Sequence, residues 1–88
     1  MNFKLILSFH SLEDLHALYK YNHRPVNKSI ELLIDVQKQP FQGIGKPEHL
    51  KYFSANIWSR RINDEHRLIY EVAGNEIIIF SFIGHYKE

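Results

Sequence analysis

An α+β domain with two N-terminal helices packed on one face of an antiparallel sheet is the fold class that three features of the chain predict. Helical periodicity is confined to residues 12–37, whereas strand periodicity dominates from Ile57 onward. Elements segregated in this way stack as a helix layer on a sheet, not as the alternating units of a parallel one. Between the two regions Pro40, Gly43, Gly45 and Pro47 interrupt any regular element. The run 76–83 is isoleucine-rich and largely apolar, as expected of a central strand buried on both faces.

Taken in order, Phe3, Leu5, Leu7 and Phe9 alternate with Lys4, Ile6 and Ser8, the period of a half-buried strand. Ser11, with Asp14 three residues later, resembles a capping box and predicts a helix carrying Leu12, Leu15, Leu18 and Tyr19. Residues 21–24 read as a polar break. Pro25 suits the first turn of a second helix, where its missing N–H is not needed. Val26, Ile30, Leu33 and Gln37 mark the apolar face of that helix, widened by Leu32, Ile34 and Val36, and Pro40 ends it. Residues 41–47 form a loop, and residues 48–53 are expected to make a short helical turn. From Ile57, Trp58, Arg60 and Ile62 fall on one strand face and Ile57, Ser59 and Arg61 on the other. Residues 63–66 and 73–75 are hairpin turns flanking the strand 67–72.

The chain has 88 residues, enough for one domain (residues 1–88) and no second core. A domain this size buries only about 60–65% of the surface its unfolded chain exposes, so its stability margin is small. Cysteine is absent, which excludes disulfides and thiolate zinc sites and suits a reducing cytoplasm. The apolar stretch 3–9 is short, interrupted by Lys4 and soon followed by Glu13 and Asp14. It is expected to be neither a signal peptide nor a membrane span.

The formal net charge is only +1, but it is unevenly spread. Residues 36–67 hold Lys38, Lys46, Lys51, Arg60, Arg61 and Arg67 against Glu48, Asp64 and Glu65. Such a patch concentrates anions, phosphate foremost. Arg60, Arg61 and Arg67 lie beside one hairpin, and a guanidinium fork suits a phosphate because it donates two parallel hydrogen bonds and stays charged. Arg61 and Arg67 share a face only if the turn between them has an odd number of residues. The same arginines would equally serve as solvated strand residues that blunt a sheet edge.

His85 continues the odd-numbered series Ile77, Ile79, Ser81 and Ile83, with Gly84 permitting a bend before it. At a strand end beside arginines it can act as a general acid, although a lone histidine near a terminus is more often plain surface. Glu48, between Lys46 and Lys51, reads as a general base or as an ordinary ion-pair partner. The other histidines show no metal-ligand spacing, so no metal or cofactor is assigned. Tyr52, Phe53 and Tyr86 are candidate base-stacking platforms, and Trp58 and Tyr70 candidate core.

Together PFQGIGKPEHLK, IWSRRINDEHRLIY and the closing GHY resemble the YoeB/Txe toxins of bacterial toxin–antitoxin modules, part of the RelE-like group of ribosome-dependent mRNA endonucleases. The resemblance runs over about residues 34–86. It implies a RelE/YoeB-like fold whose concave sheet face engages mRNA in the ribosomal A site. It places Glu48 as the base on the ribose 2′-hydroxyl, Arg67 as the stabiliser of a phosphorane-like transition state, and His85 as the acid that protonates the departing 5′ oxygen. Lys46, Lys51, Arg61 and Tyr86 match RNA- or phosphate-binding positions. The implied partners are a YefM/Phd-like antitoxin, the bacterial ribosome with its mRNA, and operator DNA only through the antitoxin complex. No membrane is implied, and the apolar excess permits a homodimer without requiring one.

Two other readings use the same residues. A non-catalytic RNA-binding or co-repressor subunit needs only the basic hairpin. A stand-alone ribonuclease would pair His85 with His49 or His66, but strong binding of free RNA usually accompanies a more basic surface.

Overall fold

Ser8, not Ser11, starts the first helix. The computed structural model describes residues 2–84. Its elements are β1 (Lys4–Leu7), α1 (Phe9–Tyr21), α2 (His23–Lys38), β2 (Glu48–His49), β3 (Ile57–Arg61), β4 (Arg67–Ala73) and β5 (Glu76–Ser81). The Ser8 hydroxyl accepts the Ser11 N–H and so caps α1. Ser11 is buried, and its own hydroxyl donates to the Ser8 carbonyl. Asp14 completes no capping box. Its carboxylate turns inward and accepts the N–H groups of Phe82, at 2.9 Å, and Ile83, at 3.3 Å.

The polar break expected at residues 21–24 shrinks to Asn22. Its side-chain oxygen accepts the Arg24 N–H and caps α2, with Pro25 in the first turn as expected. The buried positions of α2 are Ser29, Leu32 and Val36, with Val26 and Leu33 packed partly against the core. Ile30 and Ile34 are 48% and 53% exposed, so the inner face is rotated from the one the apolar spacing indicates.

The helices cover one face of a five-stranded sheet of order β1-β5-β4-β3-β2. β3, β4 and β5 are antiparallel as expected, β2 adds a fourth antiparallel strand that was not expected, and β1 runs parallel, beside β5. The whole chain from α1 to β4 separates that pair, so no tight turn dictates its direction. Residues 48–53 do not form a helical turn. Glu48 and His49 pair with Ser59 and Trp58, and the ladder continues through the Arg61 N–H to Gly45 O bond and the Leu50 N–H to Ile57 O bond. The free edge of β3 thus supplies the partners that a helical turn would have had to find internally.

Cross-strand partners define two faces. Leu7, Ile79, Tyr70 and Trp58 form a row on the helix side, where Leu18, Leu32, Val36, Leu68, Ile77 and Phe82 close the core. Glu48, Ser59, Ile69 and Ser81 form a row on the opposite, open side. The register shifts between Ile69 and Tyr70, so that Ile69 faces Ser81 while Tyr70 faces Ile79. This bulge at Phe80 overturns the expected parity of the last strand. Ile77 and Ile79 point to the core, Ser81 belongs to the open face, and Phe82 re-enters the core.

Candidate active site

Arg61 and Arg67 are direct partners across the β3–β4 ladder, so the turn between them, residues 62–66, has an odd number of residues and both side chains occupy the open face. The hairpin owes this register to Asn63, whose side-chain oxygen accepts the N–H groups of Glu65 and His66. Two cations placed opposite each other repel. Asp64 offsets part of that by pairing with the Arg61 guanidinium, and both groups are largely exposed. Beside Arg61 lies a depression of 360 Å³ that also takes in Lys28, Lys46 and Asn63.

Arg60, grouped with those arginines from sequence, is not available to any ligand. It is 0% exposed, on the helix side of the sheet. All five guanidinium N–H donors are used: Nε to the Tyr70 hydroxyl, Nη1 to Asp35 at 2.5 Å and the Ile44 carbonyl, and Nη2 to the carbonyls of Gln39 and Gln42. Burial raises the pKa of the Asp35 carboxyl, but hydrogen bonds from Gln39, Arg60 and the Ile44 N–H, together with the Arg60 charge, outweigh burial and hold it below its ordinary value. Burial pushes the Tyr70 hydroxyl up despite Arg60, which keeps it neutral and able to donate to Pro40 O at 2.6 Å. Arg60 therefore pins the loop 39–44 from inside. The available signal was its place between Trp58 and Ile62 on an apolar strand face, where an arginine requires a buried acceptor set.

That pinned loop delivers Lys46 and Glu48. Gly45, at φ +80°, passes so close to the core that a Cβ there would stand 2.7 Å from a Leu32 methyl and 3.2 Å from Arg60 Cβ. Lys46 follows with φ +50°, a left-handed conformation that costs a residue with a Cβ about 1–2 kcal/mol. Strain of this kind persists where the surroundings over-determine the backbone. Glu48 is exposed on the open face beside Ser59, which is 1% exposed. A depression of 470 Å³ is lined by Glu48, His49, Lys51 and Tyr52. The next residue, His49, lies on the other side of β2 and stacks on Trp58 with ring centroids 5.0 Å apart. Its side chain alternates with that of Glu48 along β2, although both residues line the same depression.

From strand spacings of about 4.8 Å and same-face steps of about 6.8 Å, Glu48 and Arg67 are on the order of 12 Å apart at the backbone, with Arg61 between them. The open face thus carries a carboxylate on one side and two guanidinium groups on the other, a span that long side chains can close around one phosphodiester. The structure brings Lys46, Arg61 and Arg67 together at one end of β3, with Glu48 opposite its middle residue, Ser59, whereas Lys51 follows Leu50 at the other, Ile57 end of that strand. His85 and Tyr86 lie outside the described residues. The chain that leads to them is anchored by Asp14, which holds the Phe82 and Ile83 amides, and by Gly84, whose carbonyl accepts the Arg67 N–H at 3.0 Å.

Comparison with known proteins places the whole chain in one family. Residues 7–86 match the family model described as the YoeB-like toxin of bacterial type II toxin–antitoxin systems, which extends the likeness to the first helix. Toxin YoeB of Escherichia coli K12 is 42% identical over 83 residues, covering 94% of this chain and 99% of that protein. The YoeB dimer of Staphylococcus aureus superposes with a TM-score of 0.84 at 38% identity, over 98% of this chain and 100% of that one. The toxin chain in the heterotetrameric YoeB–YefM complex of the same species gives a TM-score of 0.81, also at 38% identity and with the same coverage.

Proposed function

The chain belongs to the YoeB-like toxins of bacterial type II toxin–antitoxin systems, and from that membership we propose that it is an endoribonuclease that cuts mRNA in the A-site codon of the ribosome. The observation that carries the proposal is the open sheet face, where Glu48 stands at one end and the Arg61–Arg67 pair at the other.

Glu48 takes the proton from the ribose 2′-hydroxyl, whose oxygen attacks the adjacent phosphorus. Arg67 and Arg61 bind the non-bridging oxygens as negative charge builds on them, and Lys46 and Lys51 hold the flanking backbone. His85 donates a proton to the departing 5′ oxygen, with Tyr86 beside it in sequence against the RNA. The products are a 2′,3′-cyclic phosphate, or the 3′-phosphate formed by its hydrolysis, and a 5′-hydroxyl. Each proton transfer is worth about 10²–10⁴-fold, and stabilisation of the developing charge at least as much. The histidine requires only one proton-donating position, so the pairing of two histidines is not needed for this chemistry.

The likeness to the Staphylococcus aureus complex and dimer extends the proposal to a YefM-like antitoxin and to self-association. A segment of the antitoxin carrying acidic side chains would neutralise the Arg61–Arg67 row and block the face. Operator DNA would be met only through that complex, and the toxin would act in the cytoplasm, where translating ribosomes are. Among the described residues no helix is long and apolar enough to cross a membrane.

Primer extension on a short mRNA held in purified bacterial ribosomes tests the reading, with wild type run beside His85→Ala. The expected result is a new break within the A-site codon that needs the ribosome and weakens in the variant. No break at all would leave RNA binding or co-repression as the function.

A further inference from the structure

The last strand leaves the sheet through three successive amides that are held by side chains. Phe82 and Ile83 donate to Asp14 of α1, and Gly84 donates to Nδ1 of His66 at 3.1 Å. Gly84 is held twice, since its carbonyl accepts the N–H of Arg67. His66 is itself fixed. Its N–H donates to the Asn63 side chain at 2.8 Å, and its carbonyl accepts the Ile62 N–H at 3.0 Å. The ring is half-buried beside a depression it shares with Tyr21 and Glu65.

From this geometry we propose that His66 is a positioning residue for His85: by accepting the Gly84 N–H it fixes the backbone one residue before the acid. The inference rests on the functional reading above. It requires a neutral imidazole, because an imidazolium has a proton on both nitrogens and nothing with which to accept. His66 must therefore be deprotonated on Nδ1 while His85 carries the proton it donates. The two histidines impose opposite demands, and activity should fall at acid pH more steeply than loss of the Glu48 base alone would cause. The other ionisable groups near the ring are Glu65 and Tyr21 in the same depression, Arg67 next along β4, the Arg61–Asp64 pair at the turn, and Asp14, with His10 3.6 Å from it, on the adjoining amides.

Three forms separate a positioning role from a merely structural one. His66→Asn places an acceptor oxygen where Nδ1 stood and cannot titrate, whereas His66→Ala has no acceptor. In ribosome-programmed single-turnover cleavage, His66→Ala should lose on the order of 10²-fold in rate with little change in KM, the scale of a misplaced reacting group. His66→Asn should recover most of that rate and lose the steep acid limb. In wild type the Gly84 amide resonance should follow the titration of the His66 ring, and its hydrogen exchange should quicken in His66→Ala but not in His66→Asn. Full activity in His66→Ala alongside an inactive His85→Ala overturns this inference and leaves the function standing. Equal losses in Asn and Ala, or a Gly84 amide indifferent to the His66 ring, also overturn it. If wild type makes no A-site cut, the functional reading fails first.

Discussion

Arg61 stands directly opposite Arg67 across the β3–β4 ladder, on the sheet face turned away from the helices. Like charges so placed destabilise a strand pair, and an anion bound between them relieves the repulsion. Arg67→Lys keeps the charge but loses the planar fork. Its A-site cleavage rate is expected to fall by about 10²-fold or more, comparable to removal of a donor aimed at transition-state charge. Arg61→Ala, next to Lys46 at the rim, should weaken mRNA binding more than it slows the step. Single-turnover rates against substrate concentration check both.

Arg60 has the opposite role from its two neighbours. Arg60→Leu leaves Asp35 and three loop carbonyls without their donor, and removing one partner of a buried pair costs about 3–5 kcal/mol. Urea unfolding should show that loss. Arg61→Ala, whose partner Asp64 is exposed, should change stability by less than about 1 kcal/mol.

The Asp35 carboxyl is held below its ordinary pKa in the folded protein. Its contribution to stability is therefore complete above the unfolded-state value, near 3.8, and is lost as pH falls through the lower folded value. Thermal melts from neutral pH down to about pH 3 should show a destabilising limb in wild type. In Asp35→Asn the protein is expected to start less stable and to show a shallower limb.

Much of this was legible in the chain, for identifiable reasons. Alternating side chains and turn residues located β3, β4 and β5, and an odd-length turn was the stated condition for Arg61 and Arg67 to share a face. The basic loop around Glu48 left it either a general base or an ordinary ion-pair partner, and only the resemblance to the YoeB/Txe toxins gave it a role. The first helix was misplaced because Ser8 and Ser11 are both capping residues, and only the folded chain shows Ser11 and Asp14 turned inward. The 48–53 segment was misread because the pairing edge that extends it comes from β3, a long-range contact that local propensity does not see. The bulge at Phe80 reassigns every side chain after it, and no residue at that position signals it. Arg60 was grouped with its neighbours by charge alone, although its place between Trp58 and Ile62 on an apolar strand face marks it as the buried one of the three.

The central claim is that the open face directs a 2′-hydroxyl at its own phosphodiester. It is tested most directly by changing that one atom in the substrate. An mRNA carrying a single 2′-deoxy nucleotide on the 5′ side of the scissile bond would be bound in purified ribosomes and treated with wild-type protein. The all-ribose control should yield a fragment ending in a 2′,3′-cyclic phosphate or 3′-phosphate and a fragment with a 5′-hydroxyl. The deoxy substrate is expected to remain intact at that position. A cut of undiminished rate at the deoxy position would contradict the account, because the nucleophile would then have to be something other than the ribose hydroxyl activated by Glu48.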